Sequence, residues 1–146
     1  MSTDQLIQNR SKGARHLLLV SGIAVLLWSG MEDSDALLVT LLGALLATAT
    51  GLMLLASPRF RPVMARESIP RQGAFAGALI GTLASVATPL LMLFKDLRHA
   101  HIYPDYPAGM MLATLERMPA WALAGGLAGF GIGLLLKLAD DRRENR

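Results

Sequence analysis

The sequence predicts an all-α integral membrane protein, a single membrane domain over residues 1–146, with four transmembrane helices arranged as two antiparallel hairpins. Apolar residues make up 53% of the chain and charged residues only 17%, which is too few charges for an ordinary soluble surface. The charges lie in clusters between four apolar runs, as they do in membrane proteins. The net charge of +3 therefore reflects loops beside a membrane, and nucleic acid is not expected as a partner.

The four apolar runs are long enough, or nearly so, to cross about 30 Å of hydrocarbon, which takes about 20 helical residues. The predicted spans cover residues 15–31, 36–56, 73–94 and 120–138. The first run has the basic start and apolar middle of a signal peptide, but acidic "MEDSD" follows it without a clear small-residue cleavage site. A retained helix is therefore predicted there.

The positive charges predict the orientation of the spans. Eleven of the 14 Lys and Arg residues precede the first span, fill the loop between the second and third spans, or follow the fourth. In a four-span chain these three segments share one side of the membrane, which the excess of positive charge marks as cytoplasmic. Both termini are therefore predicted to be cytoplasmic, in a multi-pass protein of the bacterial inner membrane.

The outer connection between the third and fourth spans is predicted to contain a short interfacial helix over residues 107–118. Pro107 suits the first turn of a helix, and Met111, Leu115 and Met118 lie along one face. Such a helix would lie in the outer interface of the membrane. The alternative is that the segment simply extends the fourth span, with a kink at Pro119.

Rows of small residues mark the predicted helix-packing faces. Glycines recur every four residues in the third and fourth spans, and a weaker row that includes Ala47 lies in the second. Small residues at this spacing let two membrane helices approach closely. The predicted packing residues are Gly43, Gly51, Gly73, Gly77, Gly81, Gly125, Gly129 and Gly133. The rows predict either packing within one four-helix bundle or contact with a helix of another copy or another protein.

The predicted spans contain hydroxyl groups but no charged side chain for proton or ion transport. Such hydroxyls most often bond back to the preceding helical turn. With no cysteine and no assignable catalytic set, an enzyme is not expected, and no cofactor is predicted. His99 and His101 are weak candidates for a metal site, because no third ligand accompanies them, so no metal site is predicted.

Loop residues are predicted to contact lipid headgroups or a partner protein. Arginines near an anionic membrane surface are attracted to it, and tyrosines on a proline-stiffened loop suit docking. These contact residues are Arg59, Arg61, Arg66, Arg71, Tyr103, Tyr106 and Trp121. The expected partners are membrane lipids and other membrane subunits or further copies of the chain.

The function expected from these features is that of a non-catalytic accessory or scaffold subunit of a larger bacterial membrane protein complex. Respiratory, photosynthetic and transport assemblies are the classes considered. Three small-residue rows are more than one antiparallel helix pair needs, so a helix of a partner protein would pack against the remaining row. The alternative is a small homo-oligomeric transporter or channel, in which the hydroxyl and glycine faces line a path.

Overall fold

The fold is described by a computed structural model for residues 3–31, 35–57, 59–60, 67–99 and 104–144. These residues form five α-helices and no β-strand: α1 (Thr3–Ser29), α2 (Ala36–Ala56), α3 (Ile69–His99), α4 (Ala108–Glu116) and α5 (Met118–Glu144). The all-helical fold class predicted from the sequence is confirmed for this part of the chain.

Three of the helices are long and apolar enough to cross a membrane. They are α2, residues Ile69–Arg98 of α3 and residues Met118–Arg142 of α5. In α1 the apolar segment is shorter and covers Arg15–Ser29. The structure therefore supports a membrane protein with three candidate spans among the described residues.

The bounds of α2 agree with the predicted span over residues 36–56, and local chemistry explains both ends. The Asp35 carboxylate caps the helix by accepting a hydrogen bond of 2.7 Å from the backbone N–H of Leu37. At the other end Ser57 is extended, and its N–H bonds to the Leu54 carbonyl at 3.0 Å. Two polar residues thus delimit an uninterrupted apolar helix.

α3 is longer than the predicted span over residues 73–94, and it continues through Pro89 to His99. Lys95 and Arg98, which the sequence placed in the outer loop, therefore belong to this helix. The physical reason is that a charge ends an apolar run without ending a helix, since Lys and Arg are good helix formers. The charge pattern could therefore predict where the apolar segment ends, but not where the helix ends.

The segment after α3 combines features of both predicted alternatives. α4 is a separate short helix, with Pro107 before its first residue, and it ends at a turn formed by Arg117. Pro119 lies in the first turn of α5 and has no N–H to donate to the Leu115 carbonyl, which weakens the helix there. Even so, Trp121 donates to the Arg117 carbonyl at 3.0 Å, so hydrogen bonding resumes directly after the turn.

The helices pack in a row with α3 near its centre. α1 contacts α2, α2 contacts α3, and α3 contacts both α4 and α5, the most extensive contact being that of α3 with α5. The largest cluster of buried apolar side chains lies where α1, α2, α3 and the start of α4 meet. Its members are Trp28, Val39, Leu42, Leu91, Met92 and Tyr106.

Candidate functional site

The contact between α3 and α5 is formed by their glycine rows. Gly73 lies against the backbone of Gly129, Gly77 against that of Gly125, and Gly81 against that of Trp121. Each step of four residues along α3 matches a step of four in the opposite direction along α5, so the two helices run antiparallel. Because α-helical residues four apart share a face, each row presents a continuous strip of bare backbone.

This contact leaves no room for a side chain. A methyl group at Gly77 would collide with the carbonyl oxygen of Gly125, and one at Gly125 would collide with the carbonyl oxygen of Gly77. At the N-terminal end of α3, a Cβ at Gly133 would lie 2.7 Å from the carbonyl oxygen of Ile69. The two backbones are therefore in direct contact over about three helical turns. In a lipid bilayer the hydrophobic effect does not bring helices together, so this close contact stabilises the pair through dispersion attraction.

The weaker row of α2 packs against another face of α3. A Cβ at Gly43 would meet the backbone and hydroxyl of Thr88, and one at Gly51 would lie 2.7 Å from Cγ1 of Ile80. Ala47, between them, is also buried. α3 is thus held by small residues of α2 on one side and by the glycines of α5 on another.

Other glycines show that position within the helix, and not glycine content, defines these contacts. A Cβ added at Gly22, Gly109 or Gly131 would meet nothing within 4 Å. Gly131 is informative because it lies in α5 only two residues from Gly129, on a different face. The eight glycines predicted to pack all have a neighbour in the same chain, so the rows are occupied without a partner helix.

Most of the hydroxyl groups in these helices bond to their own backbone. The serine or threonine oxygen donates to a carbonyl three or four residues earlier at 2.7 to 2.9 Å. This arrangement is found at Ser21, Ser29, Thr40, Thr48, Thr82 and Thr88, and also at Thr114, which donates to the Met110 carbonyl at 3.0 Å. The back-bonding predicted for hydroxyls on apolar helices is confirmed at these seven positions.

Ser85 differs, because it bonds between helices. Its hydroxyl donates to the backbone carbonyl of Thr114 at 3.1 Å, and the Ser85 side chain is buried. Thr114 lies near the end of α4, while Ser85 lies near the middle of α3. This bond therefore places the end of α4 beside the middle of α3.

A polar cluster lies at the C-terminal end of α3, around Lys95. The Lys95 side chain is fully buried, and its Nζ lies 4.8 Å from the centre of the Trp28 ring. A cation over an indole face is stabilised by the ring quadrupole, most strongly when water is excluded. The indole N–H of Trp28 is buried and has no hydrogen-bond acceptor among the described residues. Sequence reasoning missed Lys95, because it assigned this lysine to a solvated loop.

Two further contacts join this cluster to neighbouring segments. The Arg98 guanidinium donates to the Ser29 hydroxyl at 2.5 Å, linking the ends of α3 and α1. The Asp96 carboxylate accepts from the backbone N–H of Tyr106 at 3.2 Å, which holds the chain before α4 against α3. Two charged side chains of α3, separated by one residue, thus fix two different segments at its C-terminal end.

The predicted contact residues occupy varied environments. Arg59 is exposed, and Arg71 is exposed with its guanidinium 3.5 Å from the Glu67 carboxylate. Tyr106 is only 1% exposed, so it is packed inside the chain and not presented to a partner, because the Asp96 contact draws its backbone inward. Trp121 is half-buried, with its carbonyl against Gly81.

Three of the predicted contact residues and one of the two histidines lie outside the described part of the chain: Arg61, Arg66, Tyr103 and His101. His99 is the last residue of α3. Among the described residues, no group of three or more His, Cys, Asp or Glu side chains could hold a metal ion.

Comparison of the chain with protein-family models, with curated proteins and with solved structures gives no match. The functional conclusion therefore depends on the geometry of the glycine contacts, the hydroxyl groups and the exposed helix faces.

Proposed function

We propose that the chain is a non-catalytic accessory or scaffold subunit of a larger bacterial membrane protein complex. The proposed classes of complex are respiratory, photosynthetic and transport assemblies. The role is structural: the chain would present rigid apolar helix faces to neighbouring membrane subunits and to lipid. Direct backbone contact between α3 and α5 fixes their relative position, and a scaffold subunit needs such a rigid structure.

The observation that carries this proposal is the direction of the hydroxyl groups. A path for polar solutes needs polar groups that face the path, with hydrogen-bond donors available to replace water. Seven hydroxyls donate their proton to their own helix backbone, and Ser85 donates to α4. This favours a scaffold over the homo-oligomeric transporter or channel that the sequence also allows.

The surfaces available to neighbours are the outward faces of α1 and α5. In α1 the side chains of Leu19 and Leu27 are 65% and 69% exposed, and in α5 that of Leu127 is 73% exposed. Both faces belong to helices at the ends of the row, where each has one principal helix partner. A neighbouring subunit would pack there and not in the glycine rows, which the chain fills itself.

The proposed topology has four spans in two hairpins, with both termini in the cytoplasm. The apolar segment of α1, Arg15–Ser29, reaches about 22 Å at 1.5 Å per residue, so it needs help from the membrane interface to cross. The excess of Lys and Arg at both termini and in the loop between α2 and α3 supports this orientation. The same arginines are suited to anionic lipid headgroups.

The proposal is tested by isolating the tagged chain from its native membrane in a mild detergent and identifying co-purifying proteins by mass spectrometry. A scaffold subunit is expected to bring a defined set of membrane subunits in fixed ratio. Two variants locate the contact, namely Leu19→Ser with Leu27→Ser on α1, and Leu127→Ser on α5. At least one of these variants is expected to lose the partners while retaining its helical content.

The opposite result is equally clear. If the chain purifies alone as a closed ring and conducts ions when reconstituted in liposomes, the scaffold role is wrong and the channel is supported.

A further inference from the structure

The depth of the chain in a bilayer can be set from α2. Its 21 residues extend about 31 Å, which equals the thickness of the hydrocarbon core at about 30 Å. Asp35 precedes this helix and Arg59 follows it closely, so polar groups bound it on both sides. The middle of α2, at Leu46, therefore lies near the centre of the bilayer.

The contacts between α2 and α3 show which residue of α3 lies at the same depth as the middle of α2. Gly43 lies against Thr88, and Gly51 lies against Ile80, so eight residues along α2 correspond to eight residues backwards along α3. In this antiparallel register, Leu46 of α2 is level with Ser85 of α3.

The contacts of α3 with α4 and α5 likewise determine the depth of the break between those two helices. Ser85 donates to the Thr114 carbonyl, and Gly81 lies against the Trp121 backbone. The turn at Arg117 lies between these two contacts along the chain. The break between α4 and α5 is therefore level with Ser85, and with it the middle of α2.

Two charged side chains lie at this break. Glu116 and Arg117 are both exposed on the surface of the chain. Glu67 and Arg71 form an ion pair elsewhere in the chain, but neither the Glu116 nor the Arg117 side chain has a polar partner among the described residues. Charged groups at mid-bilayer are costly and normally face protein or water, so another surface must cover this pair.

We propose that the break at Arg117 lies inside the bilayer and that Glu116 and Arg117 there form reciprocal ion pairs with Arg117 and Glu116 of a second copy of the chain. Adjacent opposite charges are self-complementary about a two-fold axis, because each carboxylate then meets the partner's guanidinium at the same depth. The side chains of Leu112, Leu115 and Leu123 are 57%, 37% and 69% exposed and would supply apolar contact beside the pairs. The inference requires only a membrane protein and is independent of the accessory role.

Charge reversal tests the pairing. The wild-type chain reconstituted in lipid vesicles is expected to be a dimer, measured by capture of fluorescently labelled subunits at low protein-to-lipid ratio. Glu116→Arg alone or Arg117→Glu alone places like charges opposite each other, and the dissociation constant is expected to rise by about tenfold or more. The double variant Glu116→Arg/Arg117→Glu restores opposite charges and is expected to restore the dimer.

The matched control is the other opposite-charge pair, Glu67 with Arg71, which is exposed at the inner end of α3. Reversing either of these residues is expected to leave the dissociation constant unchanged. A monomeric wild type, equal association of the single variants and the wild type, or failure of the double variant to recover would each overturn the proposal.

The depth is tested separately, using the absence of cysteine from the chain as a clean background. If the break lies in the bilayer, Leu115→Cys is protected from a membrane-impermeant maleimide. Leu135→Cys is labelled from the cytoplasmic side, because Gly133 is already level with Ile69 at the start of α3. If instead α4 lies at the outer surface and residues 118–138 form the span, the two labelling results exchange. That exchange would refute the proposal even if a dimer is found.

Discussion

The carbonyl oxygen of Gly125 occupies the space that a Cβ atom at position 77 would need. The same relationship holds in the other direction, since a Cβ at Gly125 would collide with the Gly77 carbonyl. The two helices are therefore as close as their backbones allow at this point. Their separation is set by main-chain atoms, which cannot rotate away as a side chain can.

Gly77→Ala is expected to lower the free energy of unfolding by about 1–3 kcal/mol, because the added methyl group forces the backbones of α3 and α5 apart. The measurement is unfolding of the protein in mixed micelles by increasing denaturing detergent. Gly131→Ala is the control, since a Cβ there meets nothing within 4 Å. A loss of stability as large for Gly131→Ala as for Gly77→Ala would contradict the backbone-contact explanation.

In α2, Gly43→Ala is expected to destabilise the protein more than Gly51→Ala. A Cβ at position 43 would lie 3.0 Å from the backbone Cα and N of Thr88, whereas one at position 51 would meet Cγ1 of Ile80, a side chain that can change rotamer. The difference is expected to be about 1 kcal/mol, measured by the same detergent titration. Ile80→Ala in the Gly51→Ala background should recover most of the smaller loss. Thr88→Ala in the Gly43→Ala background removes the clash with the hydroxyl but leaves the clash with the Thr88 backbone, so a smaller share of the loss should be recovered there.

Ser85→Ala is expected to destabilise the protein by about 0.6–1.7 kcal/mol, the range measured for hydrogen bonds between membrane helices. The Thr114 carbonyl loses a donor from α3 in this variant. The matched control is Thr82→Val, which removes a hydroxyl that bonds within its own helix to Ala78. Hydrogen exchange of the α4 amides should accelerate in Ser85→Ala and stay unchanged in Thr82→Val.

The contact of Lys95 with Trp28 is expected to contribute a coupling free energy of about 1–2 kcal/mol, because the cation and the ring are both buried. A double-mutant cycle with Lys95→Met and Trp28→Leu measures it. The comparison cycle pairs Lys95→Met with Trp121→Leu, a tryptophan of α5 whose backbone carbonyl lies against Gly81. That second cycle should give additive losses, and a coupling of similar size in both cycles would show that the effect is not specific to Trp28.

The apolar helices could be predicted from the sequence because the physics that defines them is local. Twenty-one uncharged and mostly apolar residues between Asp35 and Ser57 match the hydrocarbon thickness, and both α2 boundaries followed from that match. The small-residue rows identified the faces of close contact for the same reason, since only glycine allows backbones to touch. The rows could not indicate whether the contacting helix belongs to the same chain or to another one, because glycines have the same spacing in both kinds of contact.

The polar cluster around Lys95 could not be predicted, because it depends on contacts between residues distant in sequence. Lys95 becomes buried only when Trp28 covers it from another helix, and Tyr106 becomes buried only when the chain folds back on Asp96. In the sequence, lysine after an apolar run normally marks a solvated end. The continuation of helix-forming residues beyond Phe94 was the available signal that α3 includes Lys95.

The order of synthesis gives the glycine row of α3 an additional consequence. About 48 residues separate Gly77 from Gly125, so at 5–20 residues per second the ribosome needs on the order of seconds to produce the matching strip of α5. During this interval α3 already has α2 beside it, but its Gly73–Gly77–Gly81 strip is uncovered backbone in the newly inserted chain. In a nascent protein stalled in this interval, the glycine row of α3 could pack against any small-residue helix nearby. The row is covered within the chain only after α5 has been released from the ribosome.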